Sequence, residues 1–224
     1  MIHQSPSLEI LIATRNAGKI REIRTALAAL PIKLIDLGEF PDISTVAEIG
    51  QTYQENAVLK ALGYSSQAGV CALADDSGLE VDALGGQPGV FSARFAGPDA
   101  SDTERNEKLL AAISAHDSRD RAARFVCSMA FAGWSPAQRR LNNHEPKVLN
   151  ITEAQCEGRI AGSRRGQHGF GFDPIFVPNG YAATFGELPD EVKARISHRA
   201  LALDRMRQFI ERWLLETCPV PKQT

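Results

Sequence analysis

The run Val70-Cys71-Ala72-Leu73-Ala74 is short, apolar and ends against Asp75-Asp76-Ser77-Gly78. A run of this length bounded by turn-forming residues reads as a buried strand, and it steers the chain toward sheet architectures covered by helices. In open α/β sheets, ligands gather beyond the carboxyl ends of the strands. Two adjacent carboxylates in that position are expensive unless a cation or a proton-transfer step uses them. Asp, Ser and Gly also favour turns, so the same residues read as a turn that closes the strand.

The rest of the chain continues the pattern. Leu8 to Ala13 reads as a first strand and Thr14 to Gly18 as a tight loop, after which Ile20, Ile23, Leu27 and Leu30 recur at helical spacing. Thr52-Tyr53-Gln54-Glu55 looks like a capping box that opens a second helix carrying Ala57, Val58, Leu59, Ala61 and Leu62. Asp82 to Gly97 reads as a long Gly/Pro-rich loop, and such loops are often functional. Residues 102–115 return to helical spacing, 122–132 alternate as a strand, and 148–156 form a plausible antiparallel partner after a polar excursion from Ser135 to Lys147. An apolar stripe through Leu201, Met206, Phe209, Ile210, Trp213 and Leu214 marks a C-terminal helix. The expectation is an α/β fold with a mixed sheet and flanking helices. With no clean linker, residues 1–224 read as one domain of two lobes sharing a sheet, with 1–7 and 218–224 as flexible ends.

Charge excludes one class of function. With 27 acidic against 25 basic residues and a net charge of −2, the chain does not have the electrostatics of a nucleic-acid binder. A polyphosphate ligand remains compatible, because a metal ion and a few lysines supply local compensation. No apolar run approaches the roughly 18 residues of a membrane span, and Met1 to Pro6 lacks the pattern of a signal peptide. Cys71, Cys127, Cys156 and Cys218 form no CxxC pair, so neither zinc nor a disulfide framework is expected, and a cytoplasmic protein is.

Five segments carry candidate chemistry. Thr14-Arg15-Asn16-Ala17-Gly18-Lys19 lies between strand and helix, where backbone N–H groups and the helix dipole make an anion site; the plainer reading is a helix capped by Asn16 with Lys19 in solvent. Asn56 and Lys60 share a helix face and could reach phosphate oxygens, although by themselves they read first as a solvated face. Asp75 and Asp76 point in different directions along a strand, so one can hold a metal while the other holds or activates water; hard oxygen ligands suit magnesium. Phe170-Gly171-Phe172-Asp173-Pro174 offers either a stacking surface, contributing roughly 1–3 kcal/mol per base, or an aromatic core plug. Ser197-His198-Arg199 looks like a helix cap followed by two donors, a pair that alone reads as surface decoration.

Taken in order, these segments resemble the inosine triphosphate pyrophosphatase family. The resemblance also includes Gly85 to Arg94 and Ile196 to Arg199, and it runs from about Ile10 to Leu214. It implies an elongated fold of two lobes around a central nucleotide-binding cleft, usually a homodimer. It further implies magnesium-dependent hydrolysis of ITP, dITP and XTP to the monophosphate and pyrophosphate. By position, residues 14 to 19 would hold the triphosphate with Asn56 and Lys60, and Glu48 and Asp76 match acidic metal and catalytic positions, with Asp75 as their neighbour. Ser77 matches a substrate contact, and Phe170, Gly171, Phe172, Asp173, Lys193, His198 and Arg199 match nucleotide contacts. His168 stands where many members have another glycine. The alternatives are a Maf-like pyrophosphatase of modified pyrimidine nucleotides and a nucleotide sensor without catalysis.

Overall fold

In the computed structural model, which describes residues 8–116, 120–134 and 145–217, the apolar runs become strands and the helical stripes become helices. The strands are β1 (Leu8–Ile12), β2 (Ile32–Asp36), β3 (Cys71–Val81), β4 (Ala122–Gly133), β5 (Lys147–Ile160) and β6 (Phe176–Pro178). The helices are α1 (Ala17–Leu27), α2 (Tyr53–Ala68), α3 (Asp102–Ala115), α4 (Asp190–Ile196) and α5 (His198–Thr217). The strands pair in the order β2-β1-β3-β4-β5-β6. β1 lies parallel to both β2 and β3, whereas β5 and β6 are antiparallel, so the sheet is mixed, as the alternation of elements predicts.

The chain divides into two compact units: Met1–Asp75, Ser128–Thr152 and Ala202–Thr224 form the first, Asp76–Cys127 and Glu153–Leu201 the second. In the first, Ala57, Ala61 and Tyr64 of α2 pack with Leu11 of β1 and Ala72 and Ala74 of β3. Small residues on the helix and the strand let the two backbones approach closely. Thr52 caps α2 by accepting from the Glu55 N–H at 3.1 Å, but the expected capping box closes differently: Glu55 reaches past Thr52 to the Gln51 N–H at 2.6 Å. In the second unit, Leu109 and Ile113 of α3 join Phe125, Phe172, Phe176 and Phe185 in an aromatic core. There the Ser101–Glu104 pair is a complete capping box.

Two further expectations change. β3 does not stop at Ala74 but runs to Val81, so Asp75, Asp76, Ser77 and Gly78 continue the strand instead of turning. Leu79 and Val81 resume the apolar alternation and are fully buried, and that burial outweighs the turn preference of the four residues before them. The segment after it is not structureless: it holds short 3₁₀ helices at Asp82–Leu84 and Gly89–Arg94, and Pro88 bridges to Glu80. Cys71, Cys127 and Cys156 are buried, and desolvation pushes the Cys156 thiol up to about 11. Residues 1–7, most of the Ser135 to Lys147 excursion, and Cys218 with the rest of 218–224 lie outside the described residues.

Candidate active site

The first cluster lies within the first unit, where the chain leaves β1 and enters α1. Asn16 caps the helix, its Oδ1 accepting from the Lys19 N–H at 3.0 Å while its own N–H donates to Thr14 Oγ1 at 3.2 Å. Arg15, Asn16 and Ala17 are exposed at this positive end of the helix dipole, with Thr14 half-buried and Gly18 buried beneath them. The plain cap therefore holds for Asn16, but not the solvated lysine. Lys19 turns inward and pairs with the carboxylate of Asp75, their side chains 15% and 0% exposed.

Asn56 and Lys60 stand one turn apart on α2, and both are buried, which overturns the solvated-face reading. Lys60 Nζ donates to Glu48 Oε1 at 2.8 Å and to the Asp75 carbonyl at 2.7 Å. Asn56 Oδ1 accepts from the Gly50 N–H at 2.8 Å. One helix face thus grips the segment that carries Glu48. Gly50 is needed for that approach, because a Cβ there would lie 2.8 Å from Asn56 Oδ1 and 2.7 Å from Glu55 Cβ. Sequence reasoning missed Gly50, which belongs to no local turn motif.

Both lysines of this cluster are matched by carboxylates in the resting protein. A polyphosphate placed here adds negative charge to cations already paired, and so calls for a further cation. The oxygens of Glu48 and Asp75, and of Asp76 as the next residue, are the hard donors that magnesium takes. Among the described residues no three His, Cys, Asp or Glu side chains gather as a metal cage. The donor set therefore fits an ion that keeps waters and takes phosphate oxygens to complete its shell.

The second cluster is built inside the second unit. Ser77, one residue beyond Asp76, accepts from Arg199 Nη2 at 2.7 Å. Arg199 and His198 open α5 directly after Ser197, whose Oγ accepts from the Ala200 N–H at 3.2 Å. The cap is as expected, but the surface decoration is not: Arg199 and His198 are buried, and the imidazole stacks on Phe125 with centroids 4.6 Å apart. Lys193, on α4, donates to Asp173 Oδ2 at 2.6 Å, and the same oxygen accepts from the Phe170 N–H at 2.7 Å. Lys193 Nζ lies 4.4 Å from the Phe170 ring centroid and the Arg199 guanidinium 5.5 Å, both within cation–π range.

The two phenylalanines of this loop divide the two readings between them. Phe172 is a core plug packed among Ile175 and Phe176, whereas Phe170 is half-buried beneath two cations. Gly169, at φ 74°, lets the Asp173 carboxylate fold back onto the loop, since a Cβ there would lie 2.0 Å from Asp173 Oδ2. His168 is exposed beside it. An aromatic face flanked by buried cationic donors suits a flat heterocycle that presents carbonyl acceptors.

This fold and these two clusters define a member of the Ham1 family, and the family model matches residues 10–209 of the chain. Among its relatives, a dITP/XTP pyrophosphatase of Syntrophobacter fumaroxidans is 48% identical over 209 residues, covering 92% of this chain and 84% of that protein. A dITP/XTP pyrophosphatase of Desulforamulus reducens is 42% identical, covering 92% of this chain and 96% of that one. Among solved structures, a HAM1 protein from Coxiella burnetii superposes with a TM-score of 0.79 at 41% identity, covering 92% of this chain and 99% of that chain. The resemblance read from the sequence and the α/β class are both borne out.

Proposed function

We propose that this chain hydrolyses deaminated purine nucleoside triphosphates (ITP, dITP and XTP) to the monophosphate and pyrophosphate, clearing them from the nucleotide pool. The observation that carries the reading is the meeting of Lys19, from a helix start, and Lys60, from a second helix, on Asp75. In this reading they are cations for phosphate oxygens beside carboxylates for a metal. The relatives named above are dITP/XTP pyrophosphatases, which does not favour the Maf-like alternative.

In this reading Thr14, Arg15, Asn16, Ala17, Gly18 and Lys19 hold the triphosphate with backbone N–H groups, side-chain donors and the helix dipole. Asn56 and Lys60 complete that grip. Lys19 and Lys60 offset the charge that develops on pyrophosphate as the bond between the α-phosphorus and the bridging oxygen breaks, the main lever in phosphoryl transfer. Asp76 orients the attacking water; an ordinary aspartate, with a pKa of about 3.9, is a weak base at neutral pH, so orientation is its larger contribution. Magnesium, taking donors from among Glu48, Asp75 and Asp76 and leaving its other positions to water and phosphate oxygens, would supply Lewis-acid activation of the attacking water and neutralise phosphate charge.

Phe170 receives the base, on the loop that Gly171, Phe172 and Asp173 shape, with Ser77, Lys193, His198 and Arg199 as the polar contacts. Hypoxanthine and xanthine present a 6-carbonyl acceptor where adenine presents an amino donor. A site of buried donors then leaves groups unpaired with adenine, and discrimination of roughly 10⁴-fold is reachable on that principle. The family resemblance adds a homodimer to the proposal, which sedimentation of the purified chain tests, and the cysteine pattern adds a cytoplasmic location. No helix among the described residues is long and apolar enough to cross a membrane.

The deciding experiment compares hydrolysis of ITP, XTP, GTP, ATP and UTP with and without magnesium, for wild type and Asp76→Asn. Release of pyrophosphate from ITP and XTP, dependent on magnesium and lost in the variant, is expected. Equal turnover of ATP, or near wild-type activity of Asp76→Asn, refutes the assignment.

A further inference from the structure

Gly171 is gripped on both sides by one helix. Its N–H donates to Asp102 Oδ2 at 2.7 Å and its carbonyl accepts from Asn106 Nδ2 at 3.0 Å. Asp102 is the first residue of α3 and Asn106 follows one turn later, so the two share a face. Asn106 is fully buried, and its Oδ1 makes no hydrogen bond among the described residues. The Gly171 carbonyl alone therefore sets the amide's orientation, since only the NH₂ end can meet it. Asp102 is in turn paired with Arg105, whose Nη1 donates to the carbonyls of Ala93 at 3.1 Å and Ala100 at 2.5 Å.

Gly171 sits at φ 62° between Phe170 and Phe172. Its N–H belongs to the peptide that joins it to Phe170, and its carbonyl to the peptide that joins it to Phe172. The two bonds therefore fix both peptide planes around the most conformationally permissive residue of the loop. We propose that Asn106 and Asp102 are positioning residues: they hold Phe170 in place under Lys193 and Arg199, and so set the affinity for the purine base without touching it. This rests on the reading that the Phe170 loop receives the base. Asn106 dominates, because the Asp102 side chain is 43% exposed and water can replace part of its bond.

The test measures IMP and pyrophosphate binding by calorimetry, with KM and kcat for ITP, in wild type, Asn106→Ala and Asn106→Asp. Losing one hydrogen bond to a buried carbonyl predicts IMP affinity roughly fivefold to tenfold weaker in Asn106→Ala. KM for ITP rises by the same factor while kcat changes less than about twofold, and pyrophosphate binding is unchanged. In Asn106→Asp at about pH 8 a carboxylate faces the carbonyl; acidification to about pH 6 restores an O–H donor, since burial favours the neutral acid, and IMP affinity recovers where Asn106→Ala shows no recovery. Unchanged IMP binding in Asn106→Ala, equal loss of IMP and pyrophosphate binding, or no acid recovery in Asn106→Asp overturns the proposal. Should the Asn106 variants fail to fold, Asp102→Ala, which removes the acceptor for the Gly171 N–H, gives the same readout with a weakening of roughly twofold to fivefold, and no change there overturns it as well. Wild type that binds no IMP overturns the underlying base-site reading; wild type that binds it beside an unaffected variant overturns only the role of α3.

Discussion

Replacing Lys193 by methionine removes half of a buried ion pair with little change in volume. The Lys193 and Asp173 side chains are 7% and 3% exposed and 2.6 Å apart. Taking away one partner of such a pair costs about 3–5 kcal/mol, mostly for the charge left behind. Asp173 keeps the Phe170 N–H, which points to the lower end, about 3 kcal/mol. For a chain of this size each kcal/mol corresponds to roughly 2–4 °C, so the melting temperature should fall by roughly 6–12 °C. The double variant Lys193→Met/Asp173→Asn removes both charges and keeps an acceptor for the Phe170 N–H, so it should regain at least half of that loss. Thermal melts of the three proteins, followed by circular dichroism at neutral pH, provide the measurement. A single variant melting within about 2 °C of wild type, or a double variant no more stable than the single, would refute the reasoning.

Gly50→Ala should push the Glu48 segment away from Asn56 and lower kcat/KM for ITP roughly tenfold; unchanged kinetics would remove that segment from the site. The Gly38 N–H, and after it Arg24, hold the Asp36 carboxyl below the usual carboxylate range, so its stabilisation is present above that range and lost as pH falls through the lowered value. Asp36→Asn should therefore flatten the acid limb of the stability–pH curve, and parallel curves for variant and wild type would contradict this. Arg199→Ala should lose the preference for ITP over ATP, and an unchanged ratio of kcat/KM values would take Arg199 out of base recognition.

Helix α3 was legible to the residue, because its capping box, its apolar spacing and its end all agree locally. β3 was legible only in its first half. Nothing in Asp-Asp-Ser-Gly announces a strand, and it is the burial of Leu79 and Val81 beyond them that carries the chain through. The order of the candidate segments pointed to the right family, but the inward placement of Lys19, Lys60, Lys193, His198 and Arg199 was hidden. A polar pair at helical spacing looks the same in sequence whether it faces water or a carboxylate, and Lys193 meets a partner 20 residues away in the chain. Asp102 and Asn106 read only as positions of a helix, since their target is a backbone group that no side-chain pattern reveals.

The resting ion pairs of Lys19 and Lys60 have a consequence for traffic in a crowded cell. Loose cations beside a helix start would collect every passing polyanion, from inorganic phosphate to nucleic acid. Here each ammonium already has a carboxylate to leave, so an anion arriving bare must break a bond before it makes one. On the proposed function, a nucleotide escorted by its own divalent ion would escape that penalty, because the displaced carboxylates would find a new counter-charge at once. On that reading the pairing of each lysine with a carboxylate sets a threshold for entry.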